Sequence, residues 1–175
     1  MATFKIDTAH SEIGFKVKHL MISTVSGVFR KFDATIDSAK EDFSDAKISF
    51  EAEVDSISTQ DEQRDGHLKG DDFFNAAKYP TIQFVSTSIK AESGNEFIVT
   101  GDLTIRDITK PVDLQVEYNG TVTDPWGQVK AGFEITGKIS RKEFGLTWNA
   151  LTEAGGFVVG DDVKLHLNVE LQKQA

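Results

Sequence analysis

The stretch KISFEAEVD, residues 47–55, places an apolar residue at every second position, between charged or hydroxyl-bearing neighbours. Successive side chains of a β-strand point to opposite faces, so this period of two predicts a strand with one buried and one solvent-facing side. An amphipathic helix would instead repeat its apolar residues every three or four positions. Residues 47–55 therefore predict an antiparallel sheet that covers a core with one face.

The same alternation recurs along nearly the whole chain, and it predicts eight or nine strands. The apolar residues that share a phase are Phe4 and Ile6; Ile13, Phe15 and Val17; Phe32, Ala34 and Ile36; Ile48, Phe50, Ala52 and Val54; Ile82 and Phe84; Phe97, Val99, Leu103 and Ile105; Val112, Leu114 and Val116; Ala131, Phe133 and Ile135; and Val163, Leu165, Leu167 and Val169. Long strands joined by hairpins favour a barrel, because closure removes the exposed edges. We therefore expect an all-β fold, an extended eight-stranded antiparallel barrel, in a single domain of residues 1–175.

Two segments break the period and predict short helical pieces. Residues 19–26 are expected to form a short helical turn before Gly27, with Phe29 out of phase at a bulge. In residues 59–79, Thr59 is expected to cap one helix that Gly70 ends, and Asp71 to cap a second. The barrel should thus carry one or two short helices. The pair Asn119-Gly120 is expected to form a hairpin turn.

Composition narrows the classes of function. The chain has no cysteine, which excludes disulfides, thiolate metal sites and a thiol nucleophile. Its formal net charge of -9 argues against nucleic acids and anionic membrane surfaces as partners. No apolar run is long enough to cross a bilayer, so no integral membrane segment is expected. The N-terminus lacks the pattern of a signal peptide, which predicts a cytoplasmic protein, or a periplasmic one if a leader has been removed.

The densest polar cluster, residues 59–72, is the main candidate for catalysis or metal binding. His67 could join Asp61, Asp65, Asp71 or Asp72 around a metal, but their spacing matches neither a zinc motif nor a calcium loop. A solvated helix that ties a lid to the barrel rim explains the cluster better. We therefore expect no metal, no cofactor and no catalytic residue.

The aromatic residues pose the question of what the barrel contains. Of 17 aromatic residues 13 are Phe, which adds apolar surface without hydrogen-bonding groups. Seven of them share the inward phase of their strands: Phe4, Phe15, Phe32, Phe50, Phe84, Phe97 and Phe133. An eight-stranded barrel can be filled by such side chains or can hold a small ligand. Periodicity leaves both possibilities open.

Ten segments, in order along nearly the whole chain, resemble the YceI-like family of lipocalin-like, polyisoprenoid-binding proteins. They are IDTAHS (residues 6–11) with IGF (13–15), VKHL (17–20), GVF (27–29), RDGHL (64–68), DFFNA (72–76), KYPTIQF (78–84), GDLTIR (101–106) with TKPV (109–112), and RKEFG (141–145). The resemblance implies a lipocalin-like barrel with an elongated cavity for a long isoprenoid chain, often a homodimer, and no established catalytic residue.

With this resemblance, the sequence predicts non-catalytic binding, transport or storage of an isoprenoid lipid, such as a quinone or its precursor. The expected cavity lining is Phe15, Val17, Phe32, Ile36, Phe50, Val54, Phe84, Leu103, Phe133 and Ile135, and the expected mouth is Arg64, His67, Phe73, Phe74 and Arg141. The acidic net charge favours a neutral head group. Two alternatives stay open: an enzyme using His67, Asp65 and Arg64 at the mouth, or a filled, stress-related barrel that binds a protein.

Overall fold

Residues 1–150 and 156–175 are described by the computed structural model of the chain, and their strands form one continuous sheet. The strands are β1 (Ala2–Ile6), β2 (Glu12–His19), β3 (Ser23–Phe29), β4 (Phe32–Ser38), β5 (Lys47–Glu53), β6 (Ile57–Ser58), β7 (Thr81–Ala91), β8 (Glu96–Ile105), β9 (Ile108–Thr123), β10 (Val129–Ser140) and β11 (Val159–Lys173). The one α-helix of the described residues is α1 (Glu62–Lys69), and short 3-10 turns cover Thr8–His10, Val54–Ser56 and Arg141–Phe144.

The sheet closes on itself because β1 pairs with β4 on one side and with β11 on the other. The closed ring runs β1-β4-β5-β7-β8-β9-β10-β11, and all its neighbours are antiparallel. Strands β2, β3 and β6 lengthen the barrel: β2 continues along the same edge of β11 beyond β1, β3 pairs with β2, and β6 pairs with β3. The predicted all-β, eight-stranded antiparallel barrel is confirmed.

Burial along the strands follows the period of two that the sequence shows. In β8, Phe97, Val99, Gly101, Leu103 and Ile105 are buried, while the residues between them are half-buried or exposed. In β5 the quoted stretch turns Ile48, Phe50 and Ala52 inward, opposite Ile36, Ala34 and Phe32 of β4. Each strand thus contributes one apolar face to the interior of the barrel.

The predicted helical turn in residues 19–26 is wrong, because these residues form the β2–β3 hairpin. His19 pairs with Ser23, and the three-residue tip between them has positive φ at Leu20 (54°) and Met21 (64°). Phe29 pairs with Ile13 in unbroken register, so the predicted bulge is absent from this hairpin. Cross-strand pairing of the apolar residues overrides the local helical pattern.

The pair Asn119-Gly120 lies inside β9 and is not a turn. Gly120 lies opposite Gly132, whereas the next residue of β10, Phe133, lies opposite Tyr118. Asn119 is therefore an extra residue in the ladder, a β-bulge, and Gly120 adopts a φ of 113° there. An Asn-Gly pair supplies the same positive φ to a bulge as to a turn, so the local sequence could not distinguish them.

The helix is shorter than predicted, and its expected companion is absent. Asp61 rather than Thr59 caps α1, since its carboxylate accepts from the backbone N–H of Arg64 at 3.1 Å. Gly70 ends the helix as expected. Asp71 starts no second helix, because residues 71–74 form turns and Asn75 has a φ of 49°. Among the described residues, no helix has the length and apolarity needed to span a bilayer.

Candidate functional site

The barrel encloses a cavity of about 430 Å³, within the range of small-molecule sites. Its wall is built from the inward face of the strands. Nine of the 13 Phe residues line it: Phe15, Phe29, Phe43, Phe50, Phe73, Phe74, Phe84, Phe97 and Phe133. The surplus of Phe therefore surrounds a space and does not fill the barrel, so the filled-barrel alternative does not describe this structure.

The structure places most of the predicted lining in this wall. Eight of the ten predicted residues line the cavity: Phe15, Val17, Ile36, Phe50, Phe84, Leu103, Phe133 and Ile135. Phe32 and Val54 are outside the lining, although both pack in the core. Strand β5 ends at Glu53, so Val54 enters a 3-10 turn and its side chain is sealed at 1% exposure. Phe32 is the first residue of β4 and is half-buried there.

One end of the cavity is closed by Phe43, which sequence reasoning missed. Phe43 lies in the β4–β5 loop, and its ring centre lies 5.0 Å from that of Phe4, 5.1 Å from Phe133 and 5.5 Å from Tyr118. The loop is held in place by Asp45, whose carboxylate accepts from Ser38 Oγ and from the backbone N–H of residues 39 and 40. A single Phe in a polar loop was the signal available in the sequence.

The opposite end carries the polar side chains of the lining. They are Lys18, His19, Thr59, Arg64, His67 and Arg141, and no acidic residue joins them in the part of the chain that the structure describes. His19 ends β2, Arg141 follows β10, and Thr59 precedes α1, so all of them lie at one end of the barrel. The cavity is thus apolar along its length and rich in hydrogen-bond donors at this mouth.

Helix α1 is fixed at the mouth through Thr59. Asp65 is buried and accepts from the backbone N–H of Thr59 at 2.8 Å and from its Oγ1 at 2.6 Å. Arg64 donates from Nε to Thr59 Oγ1 and from a terminal nitrogen to Thr59 O, both at 2.8 Å. Both charged side chains therefore hold the helix against the segment after β6, while Arg64 also lines the cavity.

His67 is surrounded by aromatic rings and paired with a different carboxylate. Its Nε2 lies 2.9 Å from Asp72 Oδ2, and its ring lies edge-on to Phe73 and Trp148, with centroid distances of 5.1 and 4.8 Å. Asp65 binds Thr59 instead of His67, so the predicted constellation of His67, Asp65 and Arg64 does not assemble into a proton relay. Trp148, which lines the mouth, was not predicted because it follows a turn without periodicity.

Arg141 lies in the wall of the mouth, but its donors are used by the protein itself. Its side chain is 3% exposed, and its guanidinium donates to the backbone oxygens of Gly160, Leu146, Trp148 and Val159. Burial lowers the pKa of the guanidinium, and Asp161 at 3.9 Å partly opposes that effect. Arg141 therefore shapes the mouth as a scaffold more than it offers hydrogen bonds to a ligand.

A possible cation cluster lies away from the cavity. Among the described residues, Asp7, His10 and Glu170 are the set whose three ligand atoms lie within 4.8 Å of one another. The ammonium of Lys130 already bonds Asp7 at 2.7 Å and lies 3.8 Å from Glu170. Within the same part of the chain, His67 and the carboxylates of residues 61–72 do not form such a set.

Comparison with known proteins gives consistent matches over nearly the whole chain. The family model described as the YceI-like domain matches residues 4–171. A UPF0312 protein of Staphylococcus aureus is 39% identical over 171 residues, which cover 97% of both chains. The crystal structure of the Campylobacter jejuni YCEI protein superposes with a TM-score of 0.76 at 34% identity, covering 97% of this chain and 96% of that one. A polyisoprenoid binding domain from Saccharophagus degradans shares the fold, with a TM-score of 0.72 over 98% of both chains at 14% identity.

Proposed function

The chain belongs to the YceI-like domain family, and from that membership we propose that it binds a long-chain isoprenoid lipid in its cavity and transports or stores it. The proposed ligands are an isoprenoid quinone or its precursor. The tail occupies the apolar length of the barrel, and the head group stays at the mouth between α1 and the β2–β3 hairpin.

The one-sided distribution of polar side chains along the cavity carries this proposal. An isoprenoid tail has no hydrogen-bonding groups, so it leaves nothing unsatisfied along a wall of Phe, Ile, Leu and Val. Each methylene removed from water contributes about 0.8 kcal/mol, so a long tail supplies most of the binding free energy. The Phe43 plug limits how far the tail can penetrate.

The side chains at the mouth favour a head group that accepts hydrogen bonds. Lysine and arginine side chains are donors without acceptor atoms, and Lys18 and Arg64 have no carboxylate within salt-bridge distance among the described residues. The carbonyl oxygens of a quinone can accept hydrogen bonds from these donors. Trp148 and Phe73 offer flat surfaces beside the same donors, suited to a ring.

Binding without transformation agrees with the contacts at the mouth. Asp65 and Arg64 are engaged with Thr59, and His67 is paired with the exposed Asp72. The Saccharophagus degradans protein that shares this fold is described as a polyisoprenoid binding domain. For this chain the proposal rests on its own cavity, since the likeness to that domain is one of fold.

Native mass spectrometry of protein purified without detergent tests the proposal. We expect an adduct whose mass corresponds to an isoprenoid lipid, or stoichiometric uptake of an isoprenoid quinone by the empty protein. A polyprenyl phosphate as the adduct would support the tail and correct the head group. Protein that is purified empty and takes up no isoprenoid would refute the proposal.

Two neighbouring positions on β10 provide a matched pair of variants. Ile135 faces the cavity, whereas Thr136 is exposed on the outer face of the same strand. The Ile135→Trp variant should fill part of the cavity and reduce quinone retention at least about tenfold, since a lost fit of about 1.4 kcal/mol has that effect. Thr136→Trp should retain quinone like the unmodified chain. Equal retention by both variants, with unchanged circular dichroism, would contradict binding inside the barrel.

A homodimer, which the family resemblance implies, and a cytoplasmic location, or a periplasmic one if a leader has been removed, stay predictions. Sedimentation equilibrium of the lipid-loaded protein tests the first, and cell fractionation tests the second.

A further inference from the structure

Four of the eight large apolar side chains exposed in the described residues lie together beside the mouth of the cavity. We define this mouth patch as Leu20, Met21, Ile22 and Phe157, whose exposed fractions are 39%, 62%, 84% and 45%. The first three form the tip of the β2–β3 hairpin. The backbone N–H of Leu20 donates to the oxygen of Val158 at 2.8 Å, which joins the tip to the segment carrying Phe157.

The backbone at this tip is unfavourable for the residues it carries. Leu20 and Met21 both have positive φ, and the N–H of Ile22 bonds the oxygen of His19 at 3.2 Å. Positive φ at both central residues is the pattern of a type I′ turn, for which Asn-Gly is the favoured pair. Large apolar side chains are strained in this conformation. They also stay exposed to water there, so burial does not offset the strain. Neither folding nor solubility accounts for them.

Several lysines lie together on the outer wall of the barrel near the mouth patch, although the whole chain has a net charge of -9. Lys138, Lys164 and Lys16 lie directly opposite one another on three adjacent strands, a lysine row in which like charges repel. Lys16 and Lys164 have no carboxylate within 4.0 Å among the described residues, while Lys138 lies 3.7 Å from Asp162. Among the described residues on this side of the mouth, five lysines accompany three carboxylates: Lys16, Lys18, Lys138, Lys142 and Lys164 with Asp161, Asp162 and Glu143.

The vertical spacing of these features matches a membrane interface. Lys16 precedes His19, the last residue of β2, by three residues, so the lysine row lies roughly 10 Å along the strand from the base of the hairpin tip. An interfacial element buries its apolar part about 5–10 Å into the boundary between head groups and acyl chains. With the mouth patch at that depth, the lysine row lies level with the lipid phosphates.

We propose that the mouth patch and the lysine row dock this protein on the surface of an anionic phospholipid bilayer, with the mouth of the cavity facing the lipid. The expectation that anionic membranes are not partners was based on the net charge of the whole molecule. The bilayer contacts only this end of it. Docking is independent of which ligand occupies the cavity. Its use in moving a lipid between bilayer and barrel rests on the proposed function.

Co-sedimentation with phosphatidylcholine vesicles, with or without phosphatidylglycerol, tests the docking. We expect binding to the vesicles that contain phosphatidylglycerol, weakened by added salt. Combined Lys16→Glu and Lys164→Glu substitutions should weaken it at least roughly thirtyfold, since each surface lysine accounts for about a fivefold change. Absence of binding to the anionic vesicles would overturn the proposal, as would binding that survives both charge reversals.

The strained tip allows a variant that separates docking from folding. Combined Leu20→Asn and Met21→Gly substitutions give the turn its favoured residues, so the melting temperature should rise while vesicle binding falls at least about tenfold. The control is Trp126→Ser, which removes an 84% exposed indole from the β9–β10 turn at the other end of the barrel. Its vesicle binding should be unchanged. Equal loss in both variants, or none in the Asn-Gly variant, would refute docking through the mouth patch.

Quinone uptake from detergent solution distinguishes the two proposals. The Asn-Gly variant should still take up quinone, because Leu20 and Met21 are not part of the cavity lining. If the unmodified chain binds vesicles but takes up no isoprenoid, the docking proposal stands and the proposed function fails.

Discussion

Arg141 shows how much of the mouth depends on a single side chain. Its guanidinium holds four backbone oxygens, two from the segment after the 3-10 turn of Arg141–Phe144 and two from the start of β11. The contact with Leu146 O is buried and the other three are partly buried, and Val159 O also accepts from Asn149 Nδ2 at 2.8 Å. A planar fork of five donors can satisfy them together, whereas the single ammonium of lysine cannot.

Arg141→Met should therefore lower the free energy of unfolding by about 3 kcal/mol, because the buried oxygen of Leu146 and the partly buried oxygens of Trp148 and Gly160 lose the guanidinium as donor. Arg141→Lys should recover only a part of this loss. The neighbouring Lys142 is 43% exposed and pairs with Asp161 at 3.3 Å, so Lys142→Met should change the same free energy by about 0.5 kcal/mol or less. Urea unfolding followed by circular dichroism measures all three variants. A small effect of Arg141→Met would show that water satisfies these oxygens.

Two glycines leave room at the inner wall of the barrel for the ends of aromatic rings from adjacent strands. A Cβ on Gly27 would lie 2.3 Å from Cζ of Phe15, and a Cβ on Gly101 would lie 2.4 Å from Cζ of Phe84 and 2.6 Å from the backbone oxygen of Val85. The Phe84 ring thus covers the backbone of β8 from its neighbour β7. The space that a side chain would occupy at each of these glycines is filled by a ring from the adjacent strand.

Gly101→Ala should destabilise the barrel by about 2 kcal/mol, since the backbone oxygen of Val85 cannot move away as a side chain could. Gly66→Ala provides the control within the same chain. Its added Cβ meets nothing within 4 Å, and alanine favours the helix, so stability should rise by about 0.5–1 kcal/mol. Thermal unfolding of both variants checks the opposite signs. If Gly101→Ala were as stable as the unmodified chain, the close packing of Phe84 over β8 would be refuted.

The sequence predicts the strands well because each strand has one face in the apolar interior and one in solvent, as the inward residues of β5 and β8 show. It predicts less where one local signal serves two structures. Asn119-Gly120 fits a bulge as well as a turn, and residues 19–26 are helical in local pattern only. Phe43 and Trp148 were missed because both lie outside the strands, and only the tertiary structure brings them to the two ends of the cavity. The cavity itself could not be predicted, since Phe residues in the same phase can fill the barrel or can surround a space.

The closure of the whole barrel depends on the short strand β1, and a charged network secures that seam. Asp7 follows β1 and reaches across β11 to Lys130 of β10, at 2.7 Å. Lys130 also donates to Gln172 at 2.9 Å. The ammonium of Lys130 is the main reason why the pKa of Asp7 falls to about 2 from 3.8. The same contact raises the pKa of Lys130.

Asp7 contributes stability while it is ionised in the folded chain. That contribution is complete above the unfolded pKa of 3.8 and is lost as the pH falls through the folded value of about 2. Asp7→Asn should therefore lower the free energy of unfolding by about 1 kcal/mol at neutral pH, and the difference should vanish between pH 3.8 and 2. Urea unfolding at several pH values measures it.

Asp33→Asn makes the same change of net charge at an exposed pair, in which Asp33 lies 3.0 Å from Lys5. Stability should be almost unchanged in this control, because exposed pairs contribute little. If both variants behaved alike, the seam between β1 and β11 would need no charged contact.

The Phe43 plug at one end and the donors at the other give the barrel a direction. If the proposed ligand leaves through the mouth by which it entered, it leaves in the reverse order of its arrival, so its head emerges before its tail. An acceptor would then contact the polar head group first, while the apolar tail is still shielded from water inside the barrel. For the proposed ligand, Phe43 would also set a length limit, because a tail longer than the distance from Phe43 to the mouth must fold back on itself or protrude.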